Sequence, residues 1–282
     1  LAFGSASIDG RGYKPCCNVR PNSWKRNADD FNHANLIEIR EQLIEGDWHK
    51  ACYNSKETEE ASNTSMRTIW NKSLKDYDIP MTSIVDPNNV YYLDLTFSNK
   101  CNSKCITCSP DLSNQWGDEY KAIWKTDHEP IGHKNTIDHL SIYIDEDDAI
   151  DIYNTYPNVE RIAFVGGEPT IMEEHTKYCQ QLIDGDRAKN ITLSYVSNLT
   201  GITNKLLEMW THFKEIHISL SIDGYGKVND YIRYPFKWAK IEKNTRLLFD
   251  LRKKEPHKYS LNLSHTVSVF NIIQSPKLLN WW

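Results

Sequence analysis

Three of the chain's seven cysteines fall within one short stretch, "CNSKCITC", as Cys101, Cys105 and Cys108. Thiolates are soft metal ligands, and Cys-x3-Cys-x2-Cys spacing lets a single loop wrap three of them around a common centre. A structural zinc wants a fourth Cys or His nearby, and the closest histidines in the sequence are His128 and His133. A three-cysteine loop on a [4Fe–4S] cube instead leaves one iron without a protein ligand, open to a substrate or cofactor. Free cysteines packed without metal are a third reading. An odd cysteine count with this clustering fits metal better than a disulfide framework.

A second constellation follows the next apolar run, in "FVGGEPTIM". Gly166 and Gly167 at the end of a strand would let the backbone come close to a ligand, and Glu168 offers a carboxylate for an ammonium group. An ordinary tight turn before a helix is the plainer account of the same residues with Pro169. Asn198 in "SNLTG" and Ser221 and Asp223 in "SLSIDG" sit where further apolar runs end, positions that also suit turn residues. Arg233 in "NDYIRYPFKW" reads either as a partner for a ligand carboxylate or as one half of a surface salt bridge. Cys179, inside a helical pattern, reads as core.

The elements that must position these residues alternate. "VYYLDLTFS", "RIAFVGG", "NITLSYVSN", "EIHISLSID" and "YSLNLSHTVSVF" read as buried strands, five in all. Between them, helical spacing spans residues 113–124 and 145–156 and begins again at 173, 204 and 240. This order predicts an α/β fold of parallel strands joined by crossovers, as a barrel or an open sheet. The acidic run "DEDDA" at 145–149 suits a helix N-terminus. Residues 1–85 read as a separate module, with a helix over "NLIEIREQLIEG" that Gly46 stops, a linker at 79–89, and a core from 86 to 282.

Composition narrows the classes. A net charge of −5, with Lys and Arg scattered, argues against a nucleic-acid partner. No run reaches the roughly 18 apolar residues of a membrane span, and the start lacks the profile of a signal peptide, so a cytoplasmic protein without a membrane partner is expected. The chain opens without Met and closes on "LLNWW", which suggests a piece cut at both ends.

The cysteine triplet after a first strand, with "GGEP" after the next, resembles the radical S-adenosylmethionine superfamily over about residues 90–280. The resemblance implies a partial (β/α) TIM-like barrel in which Cys101, Cys105 and Cys108 hold a [4Fe–4S] cluster. It also implies that Gly166, Gly167, Glu168 and Pro169 line the edge receiving the amino group of S-adenosylmethionine. Asn198 matches the Asn-bearing end of the third strand, Ser221 and Asp223 match a fourth-strand end whose serine and aspartate face the ribose and methionine parts, and Val267 and Asn271 in "HTVSVFN" match the adenine segment. The implied activity is reductive cleavage of S-adenosylmethionine to a 5′-deoxyadenosyl radical that abstracts hydrogen from a substrate, with a one-electron reductant of the flavodoxin or ferredoxin type. One departure from the pattern is Thr107, where an aromatic residue is common, and it bears on the adenine contact.

Residues 5–67 resemble the auxiliary-cluster modules called twitch and SPASM, found in radical enzymes that act on peptides and proteins. Cys52, Glu59, Ser65 and Arg67 match one block of that module, whereas Ser55 stands where its second cysteine belongs and Ser62 replaces a glycine. With Cys16, Cys17 and Cys52 alone, three arrangements are open: a module without a cluster that serves as a docking wall, an auxiliary iron–sulfur cluster completed by an outside ligand, or a zinc site using His33 or His49. A peptide or protein side chain is the expected substrate. Alternatives are a radical enzyme acting on a small molecule or nucleobase, and a non-catalytic iron–sulfur or zinc scaffold.

Overall fold

Runs rich in β-branched and aromatic residues form strands in this chain, and the amphipathic stretches between them form helices. The computed structural model describes residues 5–9, 12–14, 39, 41–43, 45–65, 68, 89–110, 112–123 and 142–282. The elements in chain order are β1 (Ser5–Asp9), β2 (Gly12–Lys14), α1 (Tyr53–Ser62), β3 (Tyr92–Leu95), β4 (Lys104–Cys105), α2 (Gly117–Ile123), α3 (Glu146–Thr155), β5 (Arg161–Phe164) and α4 (Glu173–Asp184). They continue with β6 (Thr192–Ser197), α5 (Asn204–Thr211), β7 (Glu215–Ser221), α6 (Lys227–Ile232), β8 (Arg233–Tyr234), α7 (Trp238–Lys254), β9 (Tyr259–Ser264) and α8 (Ser275–Trp281). The chain divides into two compact units, residues 1–95 with 146–163 and residues 96–145 with 164–282.

In the first unit the strand order is β2-β1-β3-β5. β1 pairs antiparallel with β2, Asp9 opposite Gly12, and parallel with β3, from Ser5 opposite Tyr92 to Ile8 opposite Leu95. Ser5 and Ser7 are as buried as Ala6 and Ile8, so β1 is covered on both faces. α3 carries Glu146, Asp147 and Asp148 in its first turn, beside the positive end of its dipole, and turns Ala149 and Ile152 inward. The Tyr91 carbonyl accepts from the N–H groups of Glu160 and Arg161, at 2.9 and 3.0 Å, just where β5 begins.

Residues 39 and 41–43 are helical, and Gly46, with φ of +91°, follows them where the sequence predicts a stop. α1 ends on Asn63, in left-handed conformation, whose N–H donates to the Glu59 carbonyl. Ser65 Oγ then donates to Glu59 Oε2 at 2.7 Å. Cys16, Cys17, His33, Arg67, His128, His133 and residues 79–88 of the expected linker lie outside the described residues.

In the second unit β6, β7 and β9 are consecutive and parallel, Thr192 opposite Glu215 and Ser221 opposite Ser264. α4 buries His175, Tyr178, Cys179 and Leu182, α5 buries Leu206, Met209 and Trp210, and α7 buries Ile241 and Leu248. Phe164 sits among Phe97, His175 and Tyr195, with ring centroids 5.9, 4.6 and 5.4 Å away. The Tyr195 hydroxyl accepts from Trp210 Nε1 at 3.1 Å and lies 3.0 Å from His175 Nε2. Burial drives the His175 imidazole down to about 3, so it is neutral at ordinary pH. The α/β class read from the alternation is present.

Two expectations about elements need correction. The run "YSLNLSHTVSVF" is a strand only to Ser264, because Thr266 N–H turns to Asp223 Oδ1 at 2.8 Å and Asn271 gathers the loop beyond it. A short antiparallel pair, β4 with β8, sets Cys105 opposite Arg233, and neither strand is legible as one in the sequence.

Candidate functional site

The loop that leaves β3 is shaped by the short polar residues around its cysteines. Cys101 N–H donates to Asn114 Oδ1 at 2.9 Å, Asn114 N–H to the Asn99 carbonyl at 2.9 Å, and Asn99 Nδ2 to the Pro110 carbonyl at 3.0 Å. Ser113 Oγ donates to the Ser103 carbonyl at 2.7 Å and Trp116 Nε1 to the Cys105 carbonyl at 3.1 Å. Asn, Ser and Trp side chains thus replace the ladder that a loop lacks. Cys101 and Cys108 are half-buried, Cys105 is buried, and all three are free thiols. Thr107 is exposed.

Burial raises each of these thiols, Cys108 up to about 12, and the charge of Cys101 also raises Cys105, as those of Cys105 and Cys101 raise Cys108. They are therefore protonated until a cation draws the protons off, as ligation does. Among the described residues, no three Cys, His, Asp or Glu side chains converge as ligands of a single metal ion. Tetrahedral zinc would need sulfurs within about 4 Å of one another, given Zn–S bonds of about 2.3 Å. Three thiols on one loop match a [4Fe–4S] cube that keeps one iron for another ligand, whereas a lone zinc would want a fourth donor beside them.

The turn after β5 packs directly on that loop. Gly166 and Gly167 have φ of +75° and +51°. A Cβ on Gly166 would lie 2.2 Å from Thr96 Cγ2, and one on Gly167 would lie 2.1 Å from the Lys100 carbonyl oxygen. Glycine is thus required by positive φ at both positions, by the Thr96 side chain at 166 and by the Lys100 backbone at 167, reasons different from the ligand approach suggested by the sequence. Glu168 N–H donates to the same Lys100 carbonyl at 2.9 Å.

The Glu168 side chain is 1% exposed and is occupied from within. Oε1 accepts from Thr170 Oγ1 at 2.6 Å, Ser197 Oγ at 2.8 Å and Thr170 N–H at 3.3 Å, and Oε2 accepts from Asn198 N–H at 2.6 Å. Burial pushes its carboxyl up, against the pull of these donors. One acceptor site on Oε2 is all that such a carboxylate keeps for anything else. Pro169 is buried and opens the single turn that Glu168 caps.

Asn198, one residue past β6, spends its amide on the cysteine loop. Its Nδ2 donates to Asn102 Oδ1 at 2.9 Å and to Ser103 Oγ at 3.0 Å, while its Oδ1 accepts from Thr200 N–H and Thr200 Oγ1. Thr200 Oγ1 in turn accepts from Asn102 Nδ2 at 2.8 Å. Within the second unit, the loop before Cys105, the turn at Glu168 and the end of β6 are in this way tied through Asn102, Ser103, Glu168 and Asn198.

At the end of β7, Ser221 is 8% exposed and Asp223 is fully buried. Asp223 Oδ2 lies 2.8 Å from Arg233 Nε, and its carbonyl accepts from Asn271 Nδ2 at 2.8 Å. Arg233 is therefore paired with a buried residue of the chain itself rather than at the surface. Its Nη1 lies 3.8 Å from Cys105 Sγ. Asn271, 1% exposed, also donates to the Thr266 carbonyl and accepts from Ser268 N–H, so it acts as a clasp for this loop. Val267 is 57% exposed and makes no part of that clasp.

Sequence reasoning passed over Asn102, Ser103, Ser113, Asn114 and Ser197. The signal available was the density of Asn and Ser between apolar runs in "FSNKCNSKC" and "LSNQW", residue types whose short side chains bond the backbone.

No protein-family model matches the chain, and no curated protein matches it. Among solved structures it is similar to anSMEcpe with bound AdoMet, at 20% identity and a TM-score of 0.40, over 61% of this chain and 41% of that one. For anSMEcpe with bound AdoMet and the Cp18Cys peptide the values are 20% and 0.38, over 60% and 42%. For SuiB of Streptococcus suis bound to S-adenosylmethionine they are 12% and 0.30, over 93% and 70%. The chain spans about two fifths of the length of the first two, 41% and 42%. Likeness at this level fixes neither a fold nor an activity.

Proposed function

We propose that residues 86–282 form the partial-barrel core of a radical S-adenosylmethionine enzyme, and that residues 1–85 are a twitch- or SPASM-like module. One observation carries this reading: the loop after β3 presents Cys101, Cys105 and Cys108 as free thiols, with the Gly166–Gly167 turn packed against the segment that leads into it. These three residues would hold a [4Fe–4S] cluster, leaving one iron for the amino and carboxylate groups of S-adenosylmethionine. The chemistry supplied when both are bound is one-electron cleavage of the sulfonium bond, giving methionine and a 5′-deoxyadenosyl radical that takes a hydrogen atom from substrate.

The chain's own residues keep this site in shape. Asn198 and Asn114 fix the cysteine loop, and Gly166 and Gly167 bring the β5 turn against it. With the Glu168 oxygens taken up internally, the amino group would be received chiefly by backbone carbonyls at this edge. Ser221 and Val267, at the ends of β7 and β9, would meet the rest of the cofactor. In the module, Ser55, buried where the pattern has a cysteine, fits a docking wall without a cluster, and the module's resemblance alone supports a peptide or protein side chain as substrate.

Two measurements test the proposal. Iron and sulfide near four per chain after anaerobic reconstitution, lost in Cys101→Ala, fit one cluster held by the triplet, and near eight with half retained restores an auxiliary site. Incubation with S-adenosylmethionine and dithionite should release 5′-deoxyadenosine. A reconstituted protein that forms none above background is not a radical enzyme.

A further inference from the structure

Arg233 is placed where nothing in the proposed cofactor contacts requires it. It stands directly opposite Cys105 in the β4–β8 pair, and opposed residues of an antiparallel pair project to the same side. Its guanidinium is 15% exposed and spans two groups, with Nη1 3.8 Å from Cys105 Sγ and Nε 2.8 Å from Asp223 Oδ2. Asp223 is itself held on both its backbone and its side chain. Its N–H donates to Asn229 Oδ1 at 3.1 Å, its Oδ1 accepts from Thr266 N–H at 2.8 Å, and its carbonyl accepts from Asn271 Nδ2 at 2.8 Å. A buried aspartate anchored in this way places the arginine, and the arginine reaches the sulfur.

We propose that Arg233, clamped by Asp223, is a positioning residue for the Cys105 ligand that donates a charge-assisted hydrogen bond to its sulfur and raises the reduction potential of the bound cluster. The inference rests on the cluster reading of the cysteine triplet. Hydrogen bonds to ligand sulfurs are among the levers that set iron–sulfur potentials, because reduction adds negative charge that a nearby donor stabilises. Arginine suits the task because its planar fork can serve the carboxylate and the sulfur together, while a lysine offers only a point charge.

The experiment compares wild type, Arg233→Gln and Arg233→Lys after anaerobic reconstitution, measuring iron and sulfide content and then the midpoint potential by a dithionite titration followed by electron paramagnetic resonance. In Arg233→Gln the equilibrium constant for one-electron reduction should fall by about tenfold, which is about 59 mV to more negative potential for a one-electron couple. Arg233→Lys, which keeps the charge and loses the fork, should fall between the two. Equal potentials in all three proteins overturn the inference and leave the cluster reading intact. Loss of the cluster from Arg233→Gln, with an unchanged potential in Arg233→Lys or with loss there as well, makes Arg233 a merely structural residue and also overturns it. A wild-type protein that assembles no cluster overturns the functional reading, and the inference falls with it.

Discussion

Glu168→Gln separates a carboxylate that organises strand ends from one that waits for a ligand. The substitution keeps the side chain's volume but exchanges one acceptor oxygen for an NH2 group. Two backbone donors face the carboxylate on different oxygens, Thr170 N–H on Oε1 at 3.3 Å and Asn198 N–H on Oε2 at 2.6 Å. Whichever way the amide is turned, one of them meets another donor, and a backbone N–H cannot rotate away. The hydroxyls of Thr170 and Ser197 can rotate to accept, so the cheaper orientation keeps the short Asn198 bond and sacrifices the longer one. One lost charge-assisted hydrogen bond and one orphaned buried donor, each at the low end of its range, cost about 2.5 kcal/mol.

For a chain of 282 residues that loss lowers Tm by about 5–10 °C. Thermal and urea unfolding of the purified protein give the value, with Glu173→Gln as control. Glu173 is 75% exposed and meets only Lys177 at 3.4 Å, so its substitution should stay within about 0.5 kcal/mol. If Glu168→Gln melts within about 2 °C of wild type, the four bonds do not organise the strand ends and the reasoning fails.

Gly167→Ala should cost about 3 kcal/mol or more and reduce iron uptake, since its Cβ would strike the Lys100 carbonyl next to Cys101, whereas Gly226→Ala, at φ of +62° with nothing within 4 Å, should cost about 1–2 kcal/mol and leave iron content unchanged. Stability should fall by about 2 kcal/mol between pH 7 and pH 5 through His175: folded at about 3 against an ordinary 6.5, it is neutral in the native state while the unfolded chain takes up the proton, so the stability present above pH 6.5 is lost as pH falls. Urea titrations across that range check the slope, and its persistence in His175→Phe would assign it elsewhere. Asn271→Ala strips two carbonyls and one N–H of their partner and should cost about 2–3 kcal/mol, read by chemical denaturation.

How far the sequence discloses this molecule depends on range. Strands β5, β6 and β7 and helices α3, α4, α5 and α7 lie where the periodicity puts them, because long, strongly patterned segments carry their own signal. β1 escapes notice because its buried serines carry no apolar pattern, and only its pairing with β3 makes it a strand. β4 and β8 are too short to pattern at all, and they exist because the chain brings Cys105 and Arg233 together from far apart. The end of β9 is misjudged for a similar reason: "HTVSVF" has strand composition, but Asp223 and Asn271 offer its backbone better partners than a ladder does.

The candidate site follows the same division. Residue types and spacing pick out the cysteine triplet and the strand-end residues after it, yet the use to which each polar group is put depends on neighbours that no local pattern encodes. Glu168 is satisfied by Thr170, Ser197 and Asn198, Asn198 by Asn102, Ser103 and Thr200, and Asp223 by Arg233, Thr266 and Asn271. Side chains that sequence reasoning assigns to a ligand are engaged with one another. Such saturation has a physical consequence: a loop whose polar groups are already paired loses little further entropy when a cluster binds, and its thiols are held ready although each is raised by burial. On the proposed reading, backbone carbonyls and the one open lone pair of Glu168 would be left for a ligand. Mutation of Glu168, Asn198 or Asp223 should accordingly disturb the loop before it disturbs any ligand contact, and a loss of activity in those variants has to be read against iron content before a binding role is assigned.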